Sequence, residues 1–181
     1  GVLAKIANTP AELFTLFQTL GLYSLVVVLG LAMLLFVFYP LLQRIFGVHF
    51  GYREFYQKMS PAQFLAFSTS SSAATLPVTI KCVQEGLKVP KKVSDFVLPI
   101  GATINMDGTS LYQAVAAVFI AQAFGMDLGA GTQLTIVMTA TLASIGAAAV
   151  PGAGMVMLVI VLAQAGIPEA GLALIFAIDR P

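Results

Sequence analysis

Charge is what this chain has least of. Only 9% of its 181 residues are charged, 59% are hydrophobic, and the mean hydropathy is +0.94. A soluble domain carries roughly 25% charge, so the composition excludes an ordinary water-soluble fold and points to a lipid bilayer. Cysteine occurs once, as Cys82 beside Lys81, which excludes a disulfide framework or a cysteine-built metal cluster. Histidine also occurs once, as His49 among Gly47, Phe50 and Gly51, and reads as an interfacial loop residue. The net charge is +1, with no basic patch interleaved with aromatics, so nucleic acid is not an expected partner. Gly1 to Thr9 holds Lys5 and no cleavage-like site, and is not read as a signal peptide. An initiating Met is lacking, and the chain stops at Pro181 just after the short apolar run Ala170–Ile178. The expectation is a piece of a longer protein, cut inside its last helix.

What is present is a series of long uncharged runs. Residues 1–9 read as the end of a preceding helix. Thr9 then resembles an N-cap and Pro10 a first helical residue, opening a long transmembrane helix over residues 10–46. Leu13 to Gln43 is free of charge, and Pro40 is expected to kink its end. After a polar loop with Arg44, Arg53, Glu54 and Lys58 comes Met59 to Ile80, again uncharged but with Ser, Thr and Pro77 at its centre. Seven of the nine basic residues lie in the two stretches flanking that run. Basic loops prefer the cytoplasmic side. A segment that dips in and returns leaves both there, so residues 57–86 are predicted to form a re-entrant helical hairpin with Ser70, Ser71 and Ser72 at its tip. Irregular backbone at that depth must face protein or a wet cavity.

Between Phe96 and Met126 the single charged residue is Asp107, inside Gly101-Ala-Thr-Ile-Asn-Met-Asp-Gly-Thr109. At roughly 1.5 Å per residue this run exceeds a bilayer core about 30 Å thick. A carboxylate near its middle costs about 2.5 kcal/mol or more and requires compensation. Gly108 lets the helix unwind, Asn105 and Thr109 add oxygens, and unwinding frees carbonyls. Such an oxygen-rich anionic break suits a hard cation such as Na+. Residues 92–126 are therefore expected to form a broken transmembrane helix. Leu128 to Pro168 is also uncharged and too long for one span. Gly146, Pro151, Gly152 and Gly154 interrupt it, giving either two tight spans or a second re-entrant hairpin over 128–168. Residues 169–181, carrying Asp179, would start the last helix. A tip followed by a broken span, then a second tip followed by a span with Asp179, is an inverted-repeat pattern typical of secondary transporters.

These residues resemble the dicarboxylate/amino acid:cation symporter family, which includes archaeal aspartate transporters and animal excitatory and neutral amino-acid transporters. The resemblance is carried by Ser70-Ser-Ser-Ala-Ala-Thr-Leu-Pro-Val-Thr79, Gly101–Thr109, and Ala143-Ser-Ile-Gly-Ala-Ala-Ala-Val-Pro-Gly-Ala-Gly154. It implies an all-α membrane protein: an inverted-repeat transport domain with two re-entrant helical hairpins and a broken transmembrane helix, multi-pass in the inner or plasma membrane. It implies a homotrimer formed through segments outside this piece, and sodium-coupled, elevator-type symport of a small anionic or zwitterionic substrate (an acidic or small neutral amino acid, or a dicarboxylate). Ser71, Ser72 and Thr109, with Val150 and Gly154 of a hairpin-two lid, would hold that substrate. Gly101 and Asn105 resemble one sodium site, Thr103, Met106, Ser144, Ile145 and Ala147 a second, and Asn105 with Asp107 a third. Ser70 stands where archaeal members carry Arg and animal members Ser. Gln113 replaces the Glu of potassium-coupled members, and a neutral amide carries no proton. Ala149 replaces a common Gly of the lid.

Two other classes fit less well. An intramembrane hydrolase using Ser70–Ser72 needs a base within hydrogen-bond reach, and His49 lies in a loop. An ion channel with re-entrant pore loops would be expected to show a carbonyl filter motif such as Thr-Val-Gly-Tyr-Gly, which is absent.

Overall fold

A computed structural model describes residues 10–48 and 51–176. The segments 1–9, His49 and Asp179, with the roles anticipated for them, lie outside the described residues. Among the described residues the structure is all-α, with no strand.

Helix α1 (Pro10–Met33) runs through a π-helical turn (Leu34–Phe38) into α2 (Tyr39–Ile45) without leaving helical dihedrals. Phe17–Ile45 is apolar and long enough to cross a membrane by length and composition. Pro40 does not end the rod. Its missing N–H removes one i→i−4 bond, and the ladder widens just ahead of it: Tyr39 N–H donates to the carbonyl of Leu34.

Helix α3 (Tyr52–Thr69) starts earlier than residue 57, so part of the anticipated polar loop is helical. Glu54 and Lys58 explain this. They form an i,i+4 ion pair at 2.6 Å, with the acid N-terminal to the base, the favourable order on a helix. Pro61 sits inside α3 and cannot donate to Gln57, and the Ser60 hydroxyl donates to that carbonyl instead at 2.9 Å. Helix α4 (Ser72–Lys81) packs back on α3 and ends in a second π turn, Cys82–Gly86.

Helix α5 (Lys91–Ile104) and helix α6 (Asp107–Ala123) are separated by Asn105 and Met106. Gly125, at φ +68°, closes α6 in the left-handed conformation. Gly125 N–H meets the Gln122 carbonyl and Met126 N–H that of Ala121, the paired bonds of a Schellman stop. Helix α7 (Ala130–Ile145) and α8 (Ala153–Ala165) form a second packed pair, followed by a 3-10 turn (Glu169–Gly171) and α9 (Leu172–Phe176).

The core sits on one side of the break. Ile120 of α6, Ile136 of α7, Leu158 and Leu162 of α8 and Ile175 of α9 are fully buried, with Leu20 and Tyr23 of α1 against them. The α3–α4 pair contributes none of these residues. The C-terminal part of α6 is thus clamped by apolar packing, and its N-terminal end projects toward the two helix-pair turns.

Candidate functional site

The site starts from the interruption of α5 and α6. Asn105 N–H still reaches the Gly101 carbonyl at 3.0 Å, and Ser110 N–H that of Met106 at 3.0 Å. Among the described residues, the backbone ladder skips the four bonds between: the amides of Met106 to Thr109 have no partner carbonyl among Ala102 to Asn105. Carbonyls from one half-helix and amides from the other are therefore available to ligands. Asp107 is the first residue of α6, where the positive end of the helix dipole favours a carboxylate. The Tyr39 hydroxyl donates to Asp107 Oδ2 at 2.8 Å.

Two cavities flank the break. One, of about 460 Å3, is lined by Asn105, Asp107, Ser110, Thr141, Ser144 and Ile145, with Leu34 and Phe38 of the π turn. The other, of about 670 Å3, lies between the two pair turns and α6, and is lined by Thr69, Ser70, Thr109, Tyr112, Gly152 and Gly154 among others.

The two turns meet over this second cavity. Ser70 takes the left-handed conformation at φ +49° and stops α3. Ser71 caps α4, its Oγ accepting from Ala74 N–H at 3.2 Å. The same Ser71 hydroxyl donates to the Ala149 carbonyl at 2.9 Å, and Ala73 N–H donates to that carbonyl at 3.1 Å. Ala149 is not among the positive-φ residues, so alanine fits this turn without strain, and its contact with the first turn is made by the backbone oxygen. Gly152 (φ +82°) precedes α8 with no side-chain cap. A Cβ on Gly154 would lie 3.2 Å from Thr109 Cγ2, so α8 approaches α6 there as closely as glycine permits. Gln113, fully buried on α6, donates from Nε2 to the Gly154 carbonyl at 3.0 Å.

The anticipated site residues divide. Asn105, Asp107, Ser144 and Ile145 share the first cavity, and Thr109 and Gly154 the second. Gly101, Asn105 and Ser72 line a separate recess between α3, α4 and α5, because Ser72 begins α4 on the side turned from the second cavity. Ser71 is buried in the contact between turns. Val150 is 53% exposed and lines neither cavity. Thr103 spends its hydroxyl on the Ile100 carbonyl of its own helix. Met106 is half-buried, and Ala147 is buried with its N–H on the Ser144 carbonyl. Tyr39, Tyr112 and Ser110 were not anticipated as site residues. A tyrosine directly before a proline inside an apolar run was the one available signal for the first.

The donor set favours a hard cation. It offers one carboxylate, an amide, hydroxyls and freed carbonyls, and among the described residues no three His, Cys, Asp or Glu side chains converge. Oxygen ligands of this kind suit alkali and alkaline-earth ions.

The model of the sodium:dicarboxylate symporter family matches residues 1–181. The chain belongs to that family. Members are transporters rather than enzymes. The chain is 50% identical to human excitatory amino acid transporter 3 over 181 residues, 99% of this chain and 34% of the human protein. It is 46% identical to excitatory amino acid transporter 1 of Ambystoma tigrinum over 187 residues, 99% of this chain and 33% of that protein. Human excitatory amino acid transporter 2 is 44% identical over 162 residues, 90% of this chain and 28% of the relative. The symporter-family chain thus spans about a third of the length of these curated relatives.

Proposed function

We propose that the protein carrying this chain is a sodium-coupled secondary symporter of acidic or small neutral amino acids or dicarboxylates. It works by elevator-type alternating access in the cell membrane, as a trimer assembled through other segments. In this reading α3–α4 and α7–α8 are re-entrant hairpins of an inverted repeat, and α5–α6 is the broken spanning helix. The observation that carries it is the Ala149 carbonyl, gripped by Ser71 Oγ and Ala73 N–H over a cavity bordered by Thr109 and Gly154.

Charge supplies the mechanism. Sodium, as cargo, sits on the oxygens of the break and offsets Asp107. A substrate carboxylate takes the exposed amides at the turns and at the start of α8, where the helix dipole is positive. The amino-acid moiety of the substrate faces Thr109. The α7–α8 turn then closes as a lid onto Ser71 and Ala73, and the closed unit crosses as one body. Gln113, a neutral amide tied to Gly154, holds the lid base and transfers no proton.

The test is uptake of labelled aspartate, glutamate and a small neutral amino acid by the full-length protein in proteoliposomes. Accumulation is expected with an inward sodium gradient and not with choline in its place. Uptake that ignores the gradient would reject sodium coupling.

A further inference from the structure

We propose that Tyr39 is a positioning residue for the Asp107 carboxylate, and through it sets the sodium affinity of the broken-helix site. The inference rests on Asp107 being a sodium ligand, as proposed above.

Three linked observations carry it. First, the π turn aims Tyr39. An i→i−5 turn inserts one residue, or about 100° of extra rotation, relative to an unbroken α-helix. Tyr39 lies at its end, and its hydroxyl reaches Asp107 Oδ2 at 2.8 Å across 68 residues of sequence. With an ordinary turn at this point the Tyr39 side chain would leave from another face of the rod.

Second, the turn is held in place from both sides. Because Tyr39 N–H is taken by Leu34, the Leu35 carbonyl loses its α-helical donor. Its π-helical donor would be the nitrogen of Pro40, which carries no hydrogen. The Tyr56 hydroxyl of α3 fills that place, donating to the Leu35 carbonyl at 2.8 Å. Phe36 packs between the same helices, its ring 6.4 Å from those of Tyr52 and Tyr56. A wide turn is thus built by Pro40 and locked by the first helix pair.

Third, the hydrogen bond from Tyr39 is the one side-chain bond that Asp107 receives among the described residues. A carboxylate has about four acceptor positions. One donor on Oδ2 fixes its rotamer and leaves Oδ1 free for a cation. A phenol brings no charge, so it orients the carboxylate without neutralising it. Without Tyr39 the carboxylate must be ordered by the ion itself, and sodium binds more weakly.

The experiment measures sodium-dependent uptake by the full-length protein in proteoliposomes, with substrate saturating and sodium varied. Tyr39→Phe keeps the ring and removes the hydroxyl. The sodium concentration for half-maximal uptake is expected to rise on the order of tenfold, as for loss of a hydrogen bond to a charged group, and by more than the maximal rate falls. Pro40→Ala, which permits an ordinary ladder, should shift the sodium requirement the same way, and Tyr56→Phe less. A merely structural tyrosine would lower the maximal rate and the melting temperature and leave the sodium requirement in place; that result, or tighter sodium binding in Tyr39→Phe, overturns the proposal. Asp107→Asn separates the two levels. If it leaves sodium dependence unchanged, the underlying cation-site reading fails. If it abolishes sodium dependence while Tyr39→Phe and Pro40→Ala match the wild type, the role of Tyr39 alone fails.

Discussion

The two helix pairs that meet over the second cavity are built on opposite plans. The α3–α4 turn is stopped and restarted by side-chain and backbone detail: Ser70 in the left-handed region, then Ser71 capping α4. Its helices contribute nothing to the main apolar core. The α7–α8 pair is anchored in that core through Ile136, Ala140, Leu158, Val161 and Leu162, all fully buried. Its turn, however, has no side-chain cap at the start of α8. It is held to the rest of the site by the bonds to Ala149 and Gly154. At about 0.5–1.5 kcal/mol net per hydrogen bond, three such bonds cost only a few kcal/mol to break. That is the range in which an open minor state is populated at roughly 0.1–10%. A firm base under a weakly held tip is what a lid requires; a self-capped turn is what a fixed half-site requires.

Four changes probe this contrast. The largest effect is expected from Gly154→Val. Its Cβ would lie 3.2 Å from Thr109, and the added methyls wedge the α7–α8 tip open, so uptake should fall more than tenfold with expression retained. Next is Leu158→Ala. It empties a fully buried site at the base of α8, and a loss of about 2–5 kcal/mol is expected, read as a fall in melting temperature. Ser71→Ala removes one of the two donors to Ala149 and leaves Ala73 N–H in place. Labelling of a reporter cysteine at the exposed tip, in Val150→Cys, should speed up by about two- to tenfold. Ser60→Ala strips the substitute donor from the Gln57 carbonyl in α3. Because that carbonyl is solvent-accessible, the change should cost no more than about 0.5 kcal/mol. If Ser71→Ala lowered uptake more than Gly154→Val, the assignment of the moving tip would be reversed.

Much of this was legible in the chain. All-helical character follows from uncharged runs long enough to span a bilayer, where backbone polar groups must pair within the segment. The turns at Ser70–Ser71 and Gly146–Gly152 fall in the Ser-rich and Gly-rich clusters that stand out by eye, because those residues tolerate left-handed or capping geometry. The helical start at Tyr52 was hidden, since charged residues look like a loop until Glu54 and Lys58 are seen to pair one turn apart. Which side Ser72 and Val150 face depends on how tightly each turn closes, which composition does not specify. The Tyr39–Asp107 bond was beyond reach for a different reason. It needs a change of helical pitch, decided by Pro40 and Tyr56 together, and a register between helices far apart in sequence.

The central claim is that sodium is held by the carboxylate at the helix break. The most direct measurement is sodium-gradient-driven accumulation by full-length protein in proteoliposomes, compared between wild type and Asp107→Asn. The account predicts concentrative uptake in the wild type and none in the variant, at equal protein incorporation. Undiminished sodium-driven accumulation by Asp107→Asn would contradict it.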